Sequence, residues 1–393
     1  MGQHPRIFVV TDYYLPGYKA GGPIRSIANM VELLGDEFQF NILTADRDLG
    51  DNEPYPNVRH GQWQAVGKAQ VLYLSPFEKR CYHWRRLLKH LDYDVLYLNG
   101  CFSRLTIKTL LLRKLRLIPR VPVILAPRGE FSRGALDLKK RKKAIYLCLS
   151  RRMGLYKGIT WQASSDYERL DIMNAFKDVK LQIVVAPNLA SSPSVSSTPV
   201  VKEAGSLRMA FLSRVARKKN LDYALRILAN VRGDVAFHIY GPLEDTDYWE
   251  ECESLIAQMP SNVSVEFRGE VPPDRVIEVL AGYHLFFFPT RGENFGHVIS
   301  EALRAGCPVL ISDQTPWQGL EEQKAGWVVP LSQPERFQAI LQAMLEMNDT
   351  AFKEWSHGAR AYGEQAANAP TAIEANRTLF LTATRQNGQR TQA

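Results

Sequence analysis

Along this chain, short and nearly continuous apolar runs alternate with stretches whose apolar positions recur every three or four residues. RIFVVTDYY (6–14), QFNILTAD (39–46), VLYLS (71–75), DVLYLNG (94–100), VPVILAP (121–127), ITWQASS (159–165) and QIVVAPN (182–188) read as buried strands. Between them, 24–35 sets Ile27, Met30, Val31 and Leu34 on one helical face, and 78–91, 103–116, 138–153 and 166–176 also read as helices. SSPSVSSTPVVKEAG (191–205) breaks the pattern with Ser and Pro and no helical period, as a linker does. The alternation then restarts: strands at 207–213, 236–242, 264–269, 284–289, 309–312 and 327–330, helices at 220–231, 247–258, 273–282 and 296–305, and a helical tail. Strands alternating with helices predict α/β structure with parallel sheets covered on both faces.

Length agrees with a tandem. The 393 residues exceed the roughly 100–200 of one ordinary domain. The expected organisation is a Rossmann-like domain over 1–190, the linker 191–205, a second Rossmann-like domain over 206–370, and a helix over 371–393 that can pack back on the first. Hydrophobic residues make up 45% and charged residues 23%, which excludes a disordered, collagen-like or coiled-coil chain. No apolar run approaches the ~18 residues of a membrane span. The opening MGQHPRIFVV leads straight into a strand pattern, so no signal peptide is expected. Cys81, Cys101, Cys148, Cys252 and Cys307 are widely spaced, as reduced thiols in a cytoplasm are, and form no zinc motif. Charge is uneven. Residues 1–190 hold 30 Lys and Arg against 17 Asp and Glu, while the remainder holds 19 against 24. A basic first half suits an anionic partner such as a membrane surface or nucleic acid.

In doubly wound sheets, ligands bind beyond the carboxyl ends of the strands. Two loops after strands in the second half stand out. Ser213-Arg214-Val215-Ala216-Arg217-Lys218-Lys219-Asn220 places four cations at the start of a helix, where Arg214 and Lys219 can clamp a diphosphate. The segment from Pro289 to Ala302 sets Glu293 in a turn bracketed by Gly292 and Gly296, with Glu301 about two turns into the next helix. Carboxylates there accept hydrogen bonds from vicinal hydroxyls of sugars or ribose. The amides of Asn294, Phe295 and Gly296 suit phosphate oxygens.

With Glu293 and Glu301 in a Glu-x7-Glu spacing and the Arg-x4-Lys loop before them, the chain resembles the retaining glycosyltransferases of the GT-B fold. More narrowly, it resembles the bacterial group that moves sugars from nucleotide-sugar donors onto polysaccharide and lipopolysaccharide intermediates. The likeness implies two Rossmann-like doubly wound domains facing a cleft. It assigns Glu301 to ribose, Glu293 to the donor sugar, Arg214 and Lys219 to the diphosphate, and the amides of Asn294, Phe295 and Gly296 to sugar and phosphate. Gly241 would lie in the loop beside the nucleotide, with Arg268 and Val271 near the base. It implies a nucleotide-diphosphate sugar and a glycan or lipid-linked acceptor as partners, no nucleic acid, no cofactor and no required metal, since Arg214 and Lys219 supply the positive charge. The location implied is cytoplasmic, at the inner face of the membrane.

The first half offers three further stretches. Pro16 to Pro23 carries Gly21-Gly22 ahead of a helix, where a backbone can approach a ligand closely; in the family this loop, with Gly22, faces the donor diphosphate. Arg128 and Glu130 follow the strand 121–127, where many relatives place a His. They are the acceptor-side candidates, Arg128 for the leaving phosphate and Glu130 for the acceptor hydroxyl. Leu138 to Arg152 joins the cationic run Lys139–Lys143 to an apolar stripe, a pattern that suits an anionic membrane surface. The triplets Asp46/Asp48, Asp92/Asp94 and Asp245/Asp247 read as loop acidity rather than metal sites. Two other readings stay open: a nucleotide-sugar epimerase or phosphorylase of similar shape, and a non-catalytic membrane- or nucleic-acid-binding protein.

Overall fold

The computed structural model describes residues 4–132, 135–136, 140–177, 181–190, 200–367 and 369–391. Leu138, Lys139 and linker residues 191–199 lie outside the described residues. The chain forms two compact units, Met1–Leu189 with Ala369–Ala393, and Ala190–Asn368.

In the first unit, eight strands pair in the order β3-β4-β2-β1-β5-β6-β7-β8. They are β1 Arg6–Val10, β2 Gln39–Ala45, β3 Trp63–Val66, β4 Ala69–Leu74, β5 Val95–Asn99, β6 Val123–Ala126, β7 Thr160–Ala163 and β8 Gln182–Val185. All neighbours are parallel except β3 and β4, which pair antiparallel from Trp63 opposite Leu72 to Val66 opposite Ala69. The strand pattern had not revealed β3: WQAV lies at the sheet edge with its residues exposed or half-buried, so no apolar run marks it.

The sheet separates two cores. Phe8 and Val10 of β1 join Trp84, Leu88, Leu105, Leu110, Leu147 and Ile172 on one face, from helices Cys81–His90, Arg104–Lys114, Lys140–Arg152 and Asp166–Ala175. Ile7 and Val9 face the other way, onto helix Gly22–Leu34 through Ile27, Met30, Val31 and Leu34. The closing helix, Pro370–Thr391, completes that second face. Its Phe380 sits 5.5 Å from Phe38, 5.9 Å from Phe40 and 5.4 Å from Tyr97 between ring centroids. Arg377 pairs with Glu37, and Asn376 binds Gln162 and the Pro187 carbonyl.

The second unit holds β9 Ser206–Leu212, β10 Asp234–Tyr240, β11 Val263–Phe267, β12 Leu285–Phe288, β13 Val309–Ser312 and β14 Gly326–Val329. They pair in parallel in the order β11-β10-β9-β12-β13-β14. This is the doubly wound order, and it reverses between β9 and β12. Helices Leu221–Leu228, Thr246–Ile256, Val276–Leu280 and His297–Arg304 return the chain between strands, and Pro334–Glu346 and Asp349–Ala367 follow.

Removing the closing helix's anchor leaves a cavity against three aromatic rings. Phe380→Ala is expected to cost about 3–5 kcal/mol, the range for a buried Phe. Urea unfolding followed by circular dichroism checks this; an unchanged midpoint would mean the first unit does not depend on that contact.

Candidate functional site

The reversal between β9 and β12 splits the loops that follow these strands, and the two loops carry the sequence candidates. After β9 the chain runs through Ser213–Ala216 and a short 3-10 turn, Arg217–Lys219, into Asn220. Asn220 adopts a left-handed conformation, φ 63° and ψ 38°, which Asn tolerates better than most residues. That kink turns the side chain back into the protein. Asn220 Nδ2 donates to the Pro289 carbonyl at 2.9 Å, and its Oδ1 accepts from Arg291 Nε at 2.8 Å. The Arg291 amide donates to the Lys218 carbonyl at 2.9 Å. The loop after β9 is thus bound to the loop after β12.

The central contact of the site is Lys219 Nζ to Glu293 Oε1 at 2.5 Å, with both side chains only 13% exposed. Thr290 Oγ1 donates to the same carboxylate at 3.2 Å. Burial pushes the Glu293 carboxyl up, but the charges of Lys219 and Lys218 and the hydrogen bonds from Lys219 and Thr290 outweigh it and hold it below its ordinary range. The Glu293 amide is fixed by the Gln314 carbonyl at 2.9 Å. Gly292 and Gly296 both take positive φ, 155° and 77°, so the turn requires them. A Cβ on Gly296 would lie 2.8 Å from Ile299 Cδ1. Phe295 presents its carbonyl to Trp317 Nε1 at 2.5 Å, and Asn294 beside it is half-buried.

The remaining candidates of this unit make contacts of their own. Arg214 is half-exposed and bound to Glu244 at 2.8 Å. Gly241, at the end of β10, has φ 127° and packs so closely that a Cβ would meet the Ser213 carbonyl oxygen at 2.0 Å. Its amide donates to the Gly269 carbonyl at 2.8 Å, linking the ends of β9, β10 and β11. Arg268 pairs with Glu266 at 2.5 Å, and Val271 is half-buried against the core. Glu301 lies on helix His297–Arg304, is 7% exposed and interacts electrostatically with Arg304.

The first unit has its own reversal, between β1 and β5. Of the paired glycines it is Gly21 that takes positive φ, 72°, while Gly22 opens the helix. Arg128 is also left-handed, φ 57°, and its guanidinium is engaged: Nε with Asn99 Oδ1 at 3.0 Å, Nη2 with the Tyr97 hydroxyl at 2.7 Å and Nη1 with Asn188. Glu130 accepts from the amides of Cys101 and Phe102. Burial pushes its carboxyl up to about 7 despite these bonds. Asp12, bound by Ser103 Oγ at 2.9 Å, is raised by the same cause and raises Glu130 in turn.

Each Asp-x-Asp triplet has a structural task. Asp48 accepts from the amides of Tyr18 and Lys19 at 2.7 and 3.0 Å, so it shapes the Gly21–Gly22 loop. Asp46 pairs with Arg47, Asp92 and Asp94 hold Arg6, and Asp245 caps helix Thr246–Ile256. Among the described residues, no group of three or more His, Cys, Asp or Glu is placed to hold a metal ion.

Sequence reasoning missed four contributors. Asn220 had a signal, an Asn at the last position before a helix. Glu244 and Gln314 had none, since their partners Arg214 and Glu293 lie 30 and 21 positions away, and Thr290, three residues before Glu293, carries no motif of its own.

Comparisons with known proteins bear on the fold and on the second unit. Residues 198–362 match the family model for glycosyl transferases group 1, which takes in both loops of the site. No curated protein matches the chain. Sucrose-phosphate synthase from Thermosynechococcus elongatus superposes with a TM-score of 0.72 at 13% identity, covering 96% of this chain and 99% of that one. Anabaena HepE, solved in complex with UDP and glucose, gives 0.67 at 15% identity, covering 97% and 100%. WaaG, a glycosyltransferase involved in lipopolysaccharide biosynthesis, gives 0.64 at 15% identity, covering 95% and 99%. The fold is therefore GT-B, two Rossmann-like doubly wound α/β domains.

The raised Glu130 carboxyl has a consequence for stability. A group that holds its proton more tightly when folded contributes stability that is full below its unfolded pKa, near 4.5, and is lost as pH rises through its folded value of about 7. Glu130→Gln is expected to flatten the fall in unfolding free energy across that window, as measured by denaturant titrations at a series of pH values. An unchanged slope would refute the shift.

Proposed function

We propose that the protein is a retaining glycosyltransferase. It would move a hexose-type sugar from a nucleotide-diphosphate sugar to a hydroxyl of a glycan or lipid-linked acceptor in cell-surface polysaccharide biosynthesis. The observation that carries this reading is the Lys219–Glu293 pair at the strand-order reversal of a segment matching group 1 glycosyl transferases. Anabaena HepE, solved with UDP-glucose, supports a nucleotide-sugar donor and puts UDP-sugars first among candidates.

In this reading the donor diphosphate takes over Lys219 from Glu293, and Glu293 turns its freed oxygen to hydroxyls of the sugar. Arg214 exchanges Glu244 for the diphosphate. Glu301 holds the ribose, and the Asn294–Gly296 amides, Gly241, Arg268 and Val271 line the nucleotide and phosphates. The acceptor hydroxyl attacks the anomeric carbon on the face from which the nucleoside diphosphate departs. The C–O bond to the phosphate breaks, and the hydroxyl proton passes to the departing phosphate oxygen. Charge stabilisation of that leaving group is the main demand, which two cations meet without a metal. Arg128 and Glu130 serve the acceptor side. Arg128 acts there by positioning, since its guanidinium is bound to Asn99, Asn188 and Tyr97.

Arg214→Ala and Lys219→Ala are each expected to lower turnover about tenfold or more, since a hydrogen bond to a charged group contributes about 1.5–3 kcal/mol. Glu301→Ala should weaken donor and free nucleoside diphosphate alike, whereas Glu293→Ala should weaken the donor and spare the diphosphate. Calorimetric titration of both ligands separates the two roles. The anomeric configuration of the product, read by proton NMR, tests retention; an inverted product would overturn it. Nucleoside diphosphate released without acceptor would favour an epimerase type of chemistry over transfer.

We also place the protein in the cytoplasm, at the inner face of the membrane. No helix among the described residues is long and apolar enough to cross a membrane. Helix Lys140–Arg152 instead exposes Ile145 and Leu149, 61% and 53% accessible, among Lys140, Arg141, Lys142, Arg151 and Arg152. Such a face suits an anionic surface, at about 1 kcal/mol per nearby cation. Changing Lys140, Arg141 and Lys142 to Gln is expected to release the protein from anionic vesicles in co-sedimentation at low salt. A wild-type protein that stays in the supernatant would end this placement.

A further inference from the structure

The first unit contains a cavity with a volume of about 500 Å³, lined by none of the site residues assigned above. It lies between strand β4 and helix Cys81–His90. Its floor is built from leucines. Leu72 and Leu74 come from the sheet and are buried, while Leu87 and Leu91 come from the helix and its end and stay half-covered. The helix spends Trp84 and Leu88 on the core. Leu87 and Leu91 are extra apolar surface that the fold itself leaves partly open. The size falls in the range of about 300–1,000 Å³ typical of small-molecule sites.

One cation, Arg86, lines the rim, with the imidazoles of His83 and His90 beside it. The single acid of the lining, Glu78, is turned to Ser75, accepting from its amide at 2.9 Å and its hydroxyl at 2.8 Å, both on Oε2. With Oε2 of Glu78 held by Ser75, Arg86 is the charged donor that the lining offers beside its leucines. A peptide would bring backbone amides and carbonyls onto a leucine floor with no partner for them, at a cost of desolvation. A hydrocarbon chain has no such groups.

We propose that this cavity binds the aliphatic chain of an anionic lipid, with the head group at Arg86. The inference stands apart from the glycosyltransferase reading, because the cavity shares no residue with the donor site and its occupancy is read directly. The test is isothermal titration with dodecyl phosphate below its micelle concentration, with inorganic phosphate and dodecyl maltoside as controls. Saturable binding of dodecyl phosphate is expected, with neither control matching it. Arg86→Glu should weaken that binding about tenfold or more, since a charge-assisted contact is lost and reversed. Leu87→Asp should do the same through the floor. Arg86 is exposed and Leu87 half-buried, so circular dichroism checks that each variant folds. No saturable binding by the wild-type protein would overturn the proposal. So would equal binding of inorganic phosphate, equal binding of dodecyl maltoside, or both variants binding like the wild type. UDP-sugar binding, measured on the same variants, should be unchanged; its loss would mean the substitutions disturb the whole protein.

Discussion

A parallel sheet must be covered on both faces, because its strands are apolar on both sides. In the first unit that requirement organises everything else. Among the described residues, four helices cover one face, and from the same half of the chain only Gly22–Leu34 covers the other. The remaining area is filled by a helix that begins at Pro370, hundreds of residues later. Phe380 supplies the hydrophobic contact, and the polar contacts set its register. Tyr97, Gln162 and Asn376 form a buried chain of hydrogen bonds across β5, β7 and that helix. Arg128 joins the same chain through the Tyr97 hydroxyl. Arg128, an acceptor-side candidate from the sequence, is thus also part of what fixes the closing helix.

In the second unit the same rule sends polar chemistry to the carboxyl ends of the strands. Where strand order reverses, neighbouring loops leave in opposite directions and open a space between them. Lys219 and Glu293 meet there. Taking two charges out of water is expensive, and their attraction offsets the cost only with good geometry and further hydrogen bonds. Asn220, Thr290 and Gln314 provide that geometry. Under the proposed function the pair would act as placeholders, a cation and an anion satisfying each other where an anionic leaving group and sugar hydroxyls would need both.

The fold class and the two site loops were legible in the sequence because their signals are local. Apolar runs a few residues long mark buried strands, a 3.6-residue period marks helices, and glycines at Gly292, Gly296 and Gly241 mark turns that only glycine accommodates. The edge strand Trp63–Val66 was not legible, because an edge strand need not be apolar on both sides.

What the sequence by itself determined was therefore the alternation, the tandem of doubly wound sheets, and the loops where charged residues gather. What only the tertiary structure decided was which charge faces which. Lys219 and Glu293 stand 74 positions apart, and Arg6 and Asp94 stand 88 apart. Nothing in local spacing makes Arg214 meet Glu244, or assigns Asp48 to the backbone of a glycine loop 30 residues away. Those pairings depend on strand order and on which loops a reversal brings side by side. Hydrogen bonds and ion pairs act over a few ångströms, so partners are chosen only after the chain has folded.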